Sequence, residues 1–237
     1  MSDSWKKETS GYIPKIENAI QLNSNLQATL EENWLSNYFP GPKVSEASNI
    51  ALRICAYVNC LFSVSYQSFP EMRSLWCSGQ FVLIPLVVRY IYECRGAIHY
   101  SRKTLERLIS EGNIEREKSR VNRLNFGTRS KVKLPGGGDV TEKSINVMTF
   151  IQSLSDIENS EEIYGFLSEA CHPNMTQSTY FQLAGPPLSN WGNDTFKDCG
   201  HELLGKTVTI IENTCSGIQT DVNDILISAR TYVENKG

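Results

Sequence analysis

What most limits the fold of this chain is the spacing of its apolar residues. They recur every three to four positions through most of the length, and no stretch alternates in twos as a half-buried strand does. Ile16, Ile20, Leu26, Leu30, Trp34 and Tyr38 predict an amphipathic helix from about Ile16 to Tyr38, ended by Pro40 and Pro42. Ser45 is a fitting cap for a second helix with Ile50, Ile54, Val58 and Leu61 on one face. Pro70 suits the first turn of a third helix, with Ser68 as its cap, running from Glu71 to Ser110 and kinked near Gly79 or Pro85. The middle of that helix, FVLIPLVVRYIYEC, is apolar nearly all round and belongs at the centre of a bundle. Helical spacing returns at Ile145, Met148, Ile151 and Leu154. A short helix follows after Ser160 and ends near Cys171, because His172 precedes Pro173. The last helix starts after Asn193 or Asp194, with Cys199, Leu203, Ile210, Ile218, Val222, Ile225 and Ala229 in its stripe. The expected class is all-α: a single domain over residues 1–237, a bundle of about six helices with a long central apolar one.

Composition narrows the setting. Apolar residues make up 40% of the 237 and the net charge is −3, which excludes disorder along the whole chain and leaves enough material for a core without staples. The apolar run from Phe81 to Tyr92 is shorter than a bilayer requires and holds Arg89, so no membrane association is expected. The stretch MSDSWKKETSGYIPK has no apolar core of a secretory leader. Seven cysteines, none in a C-x-x-C pair, read as reduced thiols in a cytoplasmic protein.

Three groups of polar residues stand out. Arg89 and Glu93 lie four apart inside the apolar helix, so they share a face and can pair, and Arg95 and His99 repeat that spacing on another face. Such pairs either organise a core or hold an anion. His172 falls at a helix carboxyl end, where an imidazole can cap the last carbonyls or move a proton, and Asn174 adds a donor and an acceptor beside it. Between 116 and 133, Arg116, Lys118, Arg120, Arg123, Arg129, Lys131 and Lys133 face Glu117 alone, and Gly136 to Gly138 follow. Residues 112–141 therefore read as a flexible basic insertion, either a solvated loop or a contact for a phosphate backbone. Glu169-x-x-His172 and Asp198-x-x-His201 match a dimetal spacing, but Pro173 spoils the helix after the first. No metal or other cofactor is expected.

The pair Arg89/Glu93 in a central helix, followed by Y-x-x-L-S-E-x-x-H-P-N over Tyr164 to Asn174, resembles an uncharacterised family of bacterial helical proteins related to HEPN-like (higher eukaryotes and prokaryotes nucleotide-binding) bundles. The resemblance implies an RNA- or nucleotide-linked role in bacterial stress or phage defence. It also implies self-association, most simply a dimer, and a polar pocket built from Arg89, Glu93 and His172. Metal-independent endoribonuclease chemistry is one outcome. A histidine (His172 or His99) would take the ribose 2′-OH proton, and an arginine (Arg89 or Arg95) would stabilise charge on the phosphate. In the family the arginine and histidine have four to six residues between them on one helix, whereas Arg95 and His99 have three. The alternative is a non-enzymatic interaction protein whose Arg–Glu–His cluster only organises the core.

Overall fold

Ser45 accepts a hydrogen bond from the Ser48 amide and so starts helix α1, Glu46–Cys77, in the computed structural model, which describes residues 10–18, 21, 44–127, 143–172 and 193–236. One face of α1 buries Ile50, Ile54, Val58, Phe62, Phe69, Met72 and Trp76. That stripe runs unbroken past Pro70, which lies inside the helix instead of opening a new one. Ser68 caps nothing, and its hydroxyl donates to the Val64 carbonyl at 2.9 Å. The expected boundary at Pro70 is thus corrected to Gly79. Its φ of 74° is a left-handed conformation natural to glycine, and it ends α1 where the stripe ends.

A short 3-10 turn, Phe81–Leu83, leads into α2, Ile84–Glu111, with Pro85 in its first turn and Gly112 at φ 65° closing it. Helix α3, Ile114–Phe126, is capped by the Asn113 side chain on the Arg116 amide. Two shorter helices follow, α4, Val147–Ser153, and α5, Ser160–Cys171. The chain ends on α6, Asn193–Lys236. Asn159, not Ser160, stands before α5, at φ 60°, and the Ser160 hydroxyl donates to the Ile151 carbonyl. Ahead of α1, residues 13–18 are helical and Ile16 is buried; the remainder of the expected first helix lies outside the described residues.

The fold is all-α, with no strand among the described residues. Helix α2 is its axis and packs against α1, α3, α4, α5 and α6. Its apolar belt is not buried all round, since Leu86 and Tyr90 stay more than 40% exposed on the side away from the core. At Gly96 a Cβ would come within 3.1 Å of Phe150, so the missing side chain lets α4 lie close on α2. Helix α1 is long and apolar enough to cross a membrane by length and composition, but half of that window is buried against other helices. Residues 114–126 correct the expected insertion: they form a helix, because Val121 and Leu124 give it an apolar face to bury. The rest of that segment, 128–142, lies outside the described residues.

Candidate functional site

Arg89 and Glu93 occupy successive turns of α2, and Tyr164 of α5 lies across them. Arg89 Nε donates to Glu93 Oε1 at 3.0 Å and Arg89 Nη2 to the Tyr164 hydroxyl at 2.8 Å. That hydroxyl donates in turn to Glu93 Oε1 at 2.9 Å, which closes a triangle. The guanidinium also stands over the Tyr164 ring, 5.1 Å from its centroid, a cation–π contact. Arg89 and Glu93 each keep about 30% of their side-chain surface exposed. Burial works against the Arg89 charge, but the bonds to Tyr164 and Glu93 outweigh it and hold its pKa above the ordinary value. Cys171, at the end of α5, lies beside Arg89. Burial pushes its thiol up against the pull of that charge, so it stays a thiol at neutral pH.

His172 follows Cys171 in an extended conformation, φ −89° and ψ 148°, as the residue before a proline should. Its ring is exposed and makes no hydrogen bond or ion pair among the described residues. The two distant stretches therefore do meet, but through Tyr164 and Cys171 rather than through the imidazole. Asn174 lies outside the described residues.

Arg95 and His99 are brought into a different cluster, sealed between α2, the turn after α4, and α6. Each takes an acid from elsewhere in the chain. Arg95 Nη2 donates to Asp156, and Nη1 to the Asn213 carbonyl at 2.9 Å. His99 Nδ1 donates to Asp221 Oδ2 at 3.0 Å and stands 3.8 Å from Asp156 Oδ1. Arg102, one turn on, reaches Asp221 at 3.1 Å and Asp224 at 2.9 Å. The guanidinium of Arg95 lies flat on Gly217, where an added Cβ would fall 2.0 Å from Arg95 Cζ. His99 is 0% exposed, and its Nε2 is buried without a partner. An imidazole in that position has no path to a substrate in solution, so His99 and Arg95 read as framework.

Sequence reasoning missed Asp156 and Asp221, and it named Tyr164 only as the first residue of the motif, without a role. Asp221 did leave a trace: it falls on the apolar face of α6, three residues after Ile218 and next to Val222. Asp156 sits in a turn and left none.

The basic segment is largely self-neutralised where it is described. Arg116 and Arg120 both bond Glu117, which is wholly buried, and Arg116 also reaches Glu111. Lys118 pairs with Glu46, and Arg123 donates to the Lys143 carbonyl at 3.1 Å. Arg129, Lys131 and Lys133 lie outside the described residues. Arg116, Lys118 and Arg120 are thus held in ion pairs, whereas Arg123 meets only a neutral carbonyl.

No family model, curated protein or solved structure matches the chain. Among the described residues no three His, Cys, Asp or Glu side chains gather as a metal site would require.

Proposed function

We propose that this chain is a HEPN-like helical protein with an RNA- or nucleotide-linked role in bacterial stress or phage defence, and that it meets its ligand along the edge formed by Arg89, Glu93, Tyr164 and His172. The observation that carries the reading is the closed contact of the Tyr164 hydroxyl with Arg89 and Glu93, because it joins the two motif-bearing stretches in one partly exposed feature. The exposed His172 ring lies one residue beyond the Cys171 that borders Arg89. A held guanidinium with a neighbouring imidazole is the pairing that phosphate recognition uses. If the chain cleaves RNA, His172 removes the 2′-OH proton as that oxygen attacks phosphorus, the P–O5′ bond breaks and the 5′-oxygen takes a proton from water, and Arg89 steadies the charge on the phosphate. Cysteines that form no disulfide among the described residues support a reducing, cytoplasmic setting, and self-association belongs to the same reading.

The test is retardation of a mixed-sequence RNA by the purified chain across a salt series. Binding is expected to weaken steeply as salt rises and to weaken again in Arg89→Ala, while His172→Ala removes any cleavage. Failure to bind at low salt rejects the reading. The second reading, a non-enzymatic interaction protein, is favoured by one observation: two donor groups of Arg89 are already satisfied within the chain. On that reading Arg89→Ala lowers stability and changes no RNA property.

A further inference from the structure

Glu93 also lines a pocket of about 300 Å³ between α1, α2 and the start of α4. Tyr57 and Leu61 come to it from α1, Tyr90 from α2, and Val147 and Phe150 from α4. Three aromatic rings and two aliphatic side chains thus surround one carboxylate, in a space at the small end of the range for ligand sites. Among the described residues no Arg, Lys or His lines this wall.

Two oxygens of the wall are unused and open. Arg89 and Tyr164 both donate to Glu93 Oε1, and Oε2 has no hydrogen-bond partner among the described residues. The Tyr57 hydroxyl has none there either, whereas that of Tyr90 bonds the Cys94 thiol. Neither oxygen is sealed: the Glu93 side chain is 29% exposed, Tyr57 is half-buried, and neither atom is among the enclosed polar atoms without a partner. Burial pushes the Tyr57 phenol from 10.0 up to about 12, so it keeps its proton to donate.

That acceptor and that donor restrict what can fill the pocket. An anion brings no donor for Glu93 and faces its charge. A cation brings no acceptor for Tyr57 and approaches the Arg89 guanidinium that already answers Glu93. A flat neutral ring with N–H and carbonyl groups along one edge satisfies both oxygens and packs on the aromatic side chains, as nucleobases do. Guanine sets two adjacent N–H groups beside its carbonyl. Adenine and cytosine set one beside a lone pair, and uracil sets one between two carbonyls that a carboxylate repels.

We infer that this pocket takes a guanine base. Glu93 Oε2 accepts from the guanine N–H groups, the Tyr57 hydroxyl donates to the guanine carbonyl, and the ring lies against Tyr90 and Phe150, with sugar and phosphate outside. The inference rests on the RNA- or nucleotide-linked reading of the neighbouring edge and names the base that edge receives.

The test is calorimetric titration of the full chain with GMP, AMP, CMP and UMP, with thermal unfolding alongside. GMP should bind about tenfold tighter than UMP and, at ten times its Kd, raise Tm by about 4 °C. Tyr57→Phe keeps the ring, removes the donor and should weaken GMP about fivefold. In Glu93→Gln the amide oxygen has to stay on Arg89 and Tyr164, so its nitrogen replaces Oε2 and the preference for GMP over UMP should vanish. The Tm of each variant without nucleotide reports its fold separately. The inference is overturned if GMP does not bind at millimolar concentration, if UMP binds as tightly, if both variants bind and discriminate like the parent chain, or if inorganic phosphate or phenethylamine stabilises as well as GMP. RNA retarded while GMP stays unbound rejects the guanine pocket alone; GMP bound without retardation of RNA supports the pocket and rejects the RNA contact.

Discussion

Single atoms decide most of the polar chemistry in this protein. One phenolic oxygen, that of Tyr164, accepts from Arg89 and donates to Glu93, and so joins α5 to α2 at a point where neither charge is fully buried. One absent atom matters as much. Gly217 has no Cβ, and the Arg95 guanidinium occupies the room this leaves while it holds Asp156 and the Asn213 carbonyl. Gly217→Ala must push that guanidinium out of its contacts, and Arg95 is too enclosed to move aside freely. We expect the substitution to lower the free energy of unfolding by about 3 kcal/mol, measured by urea titration. An unchanged midpoint would mean that Arg95 is not seated against α6. Neither residue role is written in the local sequence, because Tyr164 and Gly217 are ordinary helix residues until their neighbours are known.

At the scale of elements, helix α1 shows tertiary packing overriding a local stop signal. Pro70 lacks the amide that would bond one turn back, and its ring crowds that carbonyl, yet Phe62, Phe69, Met72 and Trp76 form one buried stripe across it. Burial of those large side chains outweighs the cost of one proline. Since Pro70 is itself exposed, Pro70→Ala should raise the free energy of unfolding by about 1–3 kcal/mol, with the same urea titration as the check. A loss of stability instead would show that the packing of α1 depends on a bend at the proline. Helix α3 is the opposite case. Its charge density masked its periodicity, because Glu117 sits on the inner face among arginines where an apolar residue would have made the pattern plain.

The whole molecule is bound together by the apolar surface around α2, and that burial has a consequence in alkaline solution. Burial pushes the Cys55 thiol from 9.0 up to about 12. Burial does the same to the Tyr92 phenol, from 10.0 to about 12, with Arg95 working against it. Both groups stay protonated in the folded chain while the unfolded chain releases their protons. Their contribution is therefore complete below about pH 9 and is lost as pH rises from 9 towards 12, by about 1.4 kcal/mol per pH unit for each group in its window. Urea titrations at a series of pH values across that range should show the midpoint falling, and a flat midpoint would contradict the burial of both groups. The sequence by itself determined that this chain is helical, that the residues of α2 belong at the centre and that charges sit among them. Those properties repeat with the helical turn and are carried by near neighbours. Only the tertiary structure decided which charge answers which: Tyr164 rather than His172 for Arg89, Asp156 for Arg95, Asp221 for His99. Those partners lie between 61 and 122 residues away, and no period links them. They meet because separate apolar faces pack against α2, and the polar groups carried alongside have to find partners where that packing leaves them.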